Sequence, residues 1–257
     1  MSSLFHLGTF FAFLKKNKAY TFIDIFGLAV SLMFVILIAV YTVQELSTDR
    51  FQKNAERIYI LGSEEELGGA FRIADRIRDR YPEIEKVCPV IPYDEKKSAY
   101  IGENKLKVER LLFVDTTFFS LFSFKLHGAD PGQVLSAKNY AVVSKSFARK
   151  AFGDANPLGQ TINLGDSILV TVNGVMDDIK NSVIPYCDIV VRIDNIKYFN
   201  SSMDSQTFDN AGGAYLFVQE KAGTDLTAKV GDMESYFKEI FWIYQRGICH
   251  SVTFTPL

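Results

Sequence analysis

From Ile25 to Val43 the chain carries no charged side chain, and the apolar run that contains this stretch begins at Phe22. At about 1.5 Å of rise per helical residue, such a run matches the ~30 Å hydrocarbon core of a bilayer. Its acid, Asp24, stands at the start, at headgroup level. A buried core helix is rarely this long without a polar stripe. A cleaved signal has a shorter apolar region ending in small residues, whereas this run ends Ala39-Val40-Tyr41-Thr42-Val43-Gln44. The sequence therefore predicts a retained transmembrane helix over 22–43, with Phe22 and Val43 as its ends. Gly27 and Ser31 form a small-xxx-small pair on which a second helix could pack.

The flanks set the direction. Lys15, Lys16 and Lys18 precede the span with no acid before Asp24, which favours a cytoplasmic N-terminus. Arg50, Lys53 and Arg57 flank the other end, but long domains cross largely regardless of charge, so the N-terminal cluster is the better guide. Leu4, Leu7, Phe11 and Leu14 recur at helical spacing, so residues 1–21 read as a cytoplasmic or interfacial amphipathic segment. Past the span, no Gly or Pro interrupts 44–57, and the helix is expected to continue as a stalk.

The remainder reads as a water-facing mixed domain. A helix is expected over about 65–81, stopped by Pro82, and Val87–Tyr93 reads as a strand that Pro89 and Pro92 confine to an edge. Ser144 caps a helix that Gly153 closes, and two strands follow over 161–164 and 168–175. Tyr215–Val218, a helix begun at Thr224, and Ser251–Thr255 repeat the early strand–helix–strand order of 58–90. Two such units can share one split βαβ sheet. The expected class is therefore α+β: an N-terminal transmembrane helix, then a two-lobed domain with 58–105 and 211–257 in one lobe and a β-rich insert over 106–210 in the other.

Composition excludes several functions. Lys and Arg number 28 against 30 acids, a net charge of −2, which argues against nucleic acid as a partner. Cys88, Cys187 and Cys249 form no C-x-x-C and leave room for at most one intramolecular disulfide. There is no P-loop, no G-x-S-x-G and no H-E-x-x-H. Only His127 and His250 stand in the domain as candidate general bases. No catalytic, cofactor or metal residue is assigned, and the reading is of a protein that is not an enzyme.

Four blocks, in order, resemble permease subunits of bacterial ABC transporters of the MacB/FtsX type. They are Asn17 to Ala29 leading into the span, Glu45 to Tyr59 just past it, Val114 to Phe119 with Phe122-Ser123-Phe124, and Val142 to Thr161 with Val172-Asn173-Gly174-Val175. The resemblance implies a MacB-like periplasmic core domain over 58–257, its two lobes being the porter-like (58–105, 211–257) and sabre-like (106–210) parts. It implies an inner-membrane protein whose main domain is extracytoplasmic and a separate cytoplasmic ABC ATPase. It leaves room for a permease dimer and a periplasmic protein partner. Coupling would run through the stalk, with Glu45, Ser47, Asp49, Arg50 and Phe51 as candidate residues. Such permeases continue with further membrane helices, so the chain is expected to be an N-terminal fragment or a truncated product. The competing readings are a single-pass sensor or regulatory module that binds an extracytoplasmic protein, and a membrane-tethered enzyme built around His127 or His250.

Overall fold

The computed structural model describes residues 12, 14–64, 67–95, 97–165, 168–200 and 213–257. The expected interfacial segment falls mostly on 1–11 and 13, outside the described residues. The chain forms two units, 1–48 and 49–257.

The described part of the first unit is dominated by one long helix, α1 (Lys18–Ser47), long and apolar enough to cross a membrane. None of its residues is buried by protein. A helical surface that is uncharged over Ile25–Val43 and lacks protein cover is one a bilayer can bury, since lipid covers the side chains and the helix satisfies its own backbone. The Ser31 hydroxyl donates to the Gly27 carbonyl at 2.9 Å, so this pair is linked along one face.

The second unit is an α+β domain on one mixed sheet. Its strands are β1 (Ile58–Gly62), β2 (Ile84–Tyr93), β3 (Lys97–Ile101), β4 (Asn104–Val108), β5 (Leu111–Val114), β6 (Leu126–His127), β7 (Tyr140–Ser144), β8 (Thr161–Leu164), β9 (Ile168–Met176), β10 (Ile189–Arg192), β11 (Tyr215–Glu220) and β12 (Thr253–Pro256). The order is β12-β1-β11-β2-β5-β10-β7-β9-β8-β3-β4, with β6 paired to β9. The helices are α2 (Ile73–Arg80), α3 (Phe118–Leu121), α4 (Lys145–Phe152), α5 (Val230–Ile240) and α6 (Trp242–Gln245).

Because side chains alternate across a strand, the sheet carries a core on each face. Leu61, Ile91, Phe113, Val191 and Val218 pack with Ile77, Phe147, Met233 and Phe237 on one side. Ile58, Cys88, Leu112, Val190 and Phe217 pack with Phe118, Phe122, Leu135 and Ile184 on the other.

The two terminal strand–helix–strand units share this sheet, as the repeat predicts: β1 lies between β11 and β12, and β11 pairs with β2. The sheet runs across the expected division at 105/106. Strands β5 and β10, from the expected insert, continue the sheet directly from β2, while β3, from the expected first part, pairs with β4 and β8 at the far end. Backbone pairing thus runs through one continuous sheet across 49–257.

Strand β2 corrects an expectation, because it is central rather than at an edge. Its partners change over at Val90: β11 pairs with the residues up to Val90, and β5 with those from Val90 to Tyr93. Backbone groups point to alternate sides along a strand. The Val87 carbonyl, which accepts from the Thr117 hydroxyl at 3.0 Å, shows that odd-numbered residues point to the β5 side. Pro89 shares that direction before β5 begins, and Pro92 points the other way after β11 has ended. Neither missing N–H removes a ladder bond.

Three helix boundaries also differ. Helix α2 begins at Ile73, not near 65, because Leu67 and Gly69 bridge to Gly62 and Ala214 as extended backbone. Gly68 has φ +100°, and an added Cβ would sit 2.1 Å from the Ala214 oxygen, so no helix fits there. The stalk helix ends at Ser47, where Thr48 turns extended (φ −60°, ψ 133°). Thr224 does not cap α5; its hydroxyl donates to the Lys221 carbonyl, and α5 starts at Val230. Ser144 does cap α4, accepting from the Phe147 N–H at 3.1 Å.

Candidate functional site

The residues that follow the long helix are polar and, from the sequence, were expected to stay helical. The structure instead turns them into the domain. Asp49 has φ +54°, the left-handed region that aspartate tolerates better than most side chains. It is only 1% exposed. A buried carboxylate needs donors to replace its water. It finds them in the loop between β9 and β10: the Ser182 hydroxyl donates to it at 2.5 Å and the Val183 N–H at 2.7 Å. The Asp49 N–H donates to the Asn181 carbonyl at 2.8 Å. Asn181 is also left-handed, at φ +49°. Two left-handed residues thus meet back to back and lock the entering chain.

The next residues extend the grip. Gln52, 5% exposed, accepts from the Ser123 N–H at 2.6 Å and reaches Asp49 with its amide nitrogen at 3.3 Å. The Ser123 hydroxyl accepts from the Lys53 N–H at 3.1 Å. Phe51 lays its ring on Phe124 at 5.6 Å, and contacts continue through Phe122 to Phe217 in β11. Arg57 then fixes the start of β1, donating to Glu85 at 2.9 Å and to the Glu220 carbonyl at 2.8 Å. The entering segment is tied to two loops and to the ends of two central strands.

The candidate residues therefore divide. Phe22, Gly27, Ser31 and Val43 lie exposed on α1, as do Lys18 and, just before it, Lys15 and Lys16. Glu45 and Ser47 belong to the last turn of α1, with the Ser47 hydroxyl donating to the Gln44 carbonyl at 2.8 Å. Asp49, Arg50 and Phe51 belong to the domain, not to a helical stalk. Sequence reading missed Gln52, Ser123, Asn181 and Ser182. They are small polar residues in loops, and only the fold brings them to Asp49.

Among the described residues, neither His127 nor His250 is hydrogen-bonded to a serine hydroxyl or a cysteine thiol. His127 Nε2 lies 2.8 Å from Asp177, with Lys145 3.8 Å from the same carboxylate. The His127 hydrogen bond holds the Asp177 carboxyl below its usual range. Ser146 bonds to Asp178 instead of His127. The His250 N–H donates to Glu64 at 2.6 Å. Among the described residues, no group of three or more His, Cys, Asp or Glu is arranged to hold a metal. The three cysteines are free and buried, and burial pushes the Cys88 and Cys187 thiols up. On the face of the sheet that carries α2 and α5, an open cleft of about 1060 Å³ is lined by Leu67, Gly68, Tyr215, Trp242 and Ile248 among others.

The chain thus combines one helix long and apolar enough to cross a membrane with an α+β domain on a single mixed sheet. Residues 21–236 match the family described as the MacB-like periplasmic core domain, and the chain belongs to that family. The family is a component of ABC transporter permeases, which work with a cytoplasmic ATPase. Solved structures share the fold. A domain of a protein assigned as a permease from Porphyromonas gingivalis superposes with TM-score 0.65 at 19% identity, covering 80% of this chain and 93% of that one. The periplasmic region of MacB from Actinobacillus actinomycetemcomitans gives 0.56 at 12% identity, covering 79% and 89%. The extracellular domain of the noncanonic ABC-type transporter YknZ from Gram-positive bacteria gives 0.53 at 15% identity, covering 77% and 99%. No curated protein is matched by sequence.

Proposed function

We propose that this chain is the first membrane helix and extracytoplasmic domain of an inner-membrane ABC permease, and that it transmits work from a separate cytoplasmic ATPase to the far side of the membrane. The observation that carries the reading is the Asp49 clamp. Two residues after α1 ends at Ser47, the chain is held by a buried carboxylate, two left-handed backbones and Gln52. A mere tether needs no such fixing, because a flexible link holds a domain at a membrane equally well. Force on the helix enters the domain at Asp49, and from there reaches β11 and β2 through Phe51, Phe124 and Arg57. Glu45 and Ser47 form the last rigid turn, while Arg50 and Phe51 lie on the domain side of the joint.

The test is purification of the tagged gene product from solubilised membranes. Co-purification of an ABC ATPase, with ATP hydrolysis that Asp49→Gly leaves intact while the extracytoplasmic task falls, supports the reading. A chain recovered without any ATPase refutes it and favours a single-pass sensor or binding module, for which the cleft beside α6 would be the docking place.

A further inference from the structure

The clamp also gathers side chains that it does not use. Asp49 is bonded to the loop at 181–183, and Gln52 and Lys53 are bonded to Ser123, so the neighbours of all three segments lie around the same joint. Those neighbours are Arg50, Lys53, Lys125 and Lys180, all exposed. Among the described residues none of the four makes an ion pair within 4.0 Å. The nearby acids are mostly engaged. Asp49 is buried against its donors, Asp177 is held by His127 and Lys145 with the Lys125 charge also acting on it at longer range, and Asp178 is held by Ser146. Glu56 is the exposed acid of 49–57. The same segments carry two exposed apolar side chains, Phe51 and Val183, each 45% exposed. A chain of net charge −2 has no general excess of cations to place here.

We propose that this surface, made by Arg50, Phe51, Lys53, Lys125, Lys180 and Val183, binds the anionic phospholipid surface of the bilayer that α1 enters. The proposal rests on α1 spanning the membrane. Cations and exposed apolar side chains on the same segments match the two phases of a lipid interface, with charge against phosphate and the apolar groups at the acyl boundary. Chain length puts the surface within reach. From Val43 to Ser47 is roughly 6 Å of helix, and from Ser47 to Asp49 at most about 7 Å of extended chain. The headgroup layer is itself about 5–7 Å deep, and charge is felt for about 8–10 Å beyond it. Contact with lipid would give the domain a resting position that any motion of the helix must break.

The experiment uses the whole chain in nanodiscs of phosphatidylcholine alone or with one-third phosphatidylglycerol. An environment-sensitive dye goes on Val183→Cys, since the native cysteines are buried, and a headgroup spin label acts as quencher. A second variant, Leu32→Cys, is read against an acyl-chain quencher. The expected result is quenching at position 183 in the anionic discs, lost at high salt. In Arg50→Gln/Lys53→Gln/Lys125→Gln/Lys180→Gln the ratio of bound to free domain should fall by roughly fivefold per charge removed. The salt titration of the parent reads the same term if that variant folds poorly. Quenching at 32 without quenching at 183 overturns the proposal while α1 stands as a membrane helix. Equal quenching at 183 in both lipids, or none of it sensitive to salt, overturns the charge recognition. No quenching at 32 overturns the membrane helix and the proposal together.

Discussion

Replacing Asp49 by alanine should destabilise the domain by roughly 3–5 kcal/mol, and the structure divides that cost. Three hydrogen bonds to the carboxylate disappear: a short pair from Ser182 at 2.5 Å and Val183 at 2.7 Å, and a longer one from the Gln52 amide at 3.3 Å. A hydrogen bond to a charged group contributes about 1.5–3 kcal/mol. Val183 and Asn181 are exposed and Ser182 half-buried, so water can partly replace the lost acceptor, and the pair together should contribute about 3 kcal/mol. The backbone adds a second term. At φ +54°, alanine costs about 1 kcal/mol that glycine does not. Asp49→Asn keeps the left-handed preference and one acceptor, and should cost only about 1–2 kcal/mol. The expected order of loss is therefore alanine, then glycine, then asparagine. Urea unfolding of the chain, followed by the fluorescence of Trp242, the single tryptophan, measures all three. An alanine variant within 1 kcal/mol of the parent, or a glycine variant as unstable as the alanine one, would refute the account of the joint.

Other positions give separate checks. Glu64 is held at a pKa of about 2 by the Ser251 hydroxyl and N–H, against 4.5 when free. Its contribution to stability is therefore present above about pH 4.5 and is lost as the pH falls towards 2; Glu64→Gln should be less stable than the parent at pH 7, and the gap between their urea midpoints should close over that window. Gly68→Ala places a Cβ 2.1 Å from the Ala214 carbonyl oxygen at a backbone angle alanine avoids. It should cost at least about 2 kcal/mol and break the Gly69–Ala214 bridge, seen as faster amide exchange there. Phe122→Ala empties a position packed against Phe118 and Phe217. It should lower stability by about 3–5 kcal/mol in the same urea assay.

The apolar helix, the α+β class and the family were legible in the sequence because each rests on local information. Membrane length and the lack of charge over Ile25–Val43 need no partner to be read. The Ser144 cap is written in neighbouring residues, and the sharing of one sheet by the terminal units followed from their repeated order. What the sequence did not decide was long-range pairing. Pro89 and Pro92 exclude a central strand only when one neighbour runs the full length of β2, and whether the neighbours change over at Val90 depends on β5 and β11, which lie far away in the chain. Likewise nothing between Gln44 and Asn54 breaks a helix by propensity. The helix stops because Asp49, paired with Ser182 and Val183, and Gln52, paired with Ser123, are more stable buried in the domain than one further turn of helix would be in water. That balance is set by residues up to 134 positions away, so only the tertiary structure turns a predicted stalk into a joint.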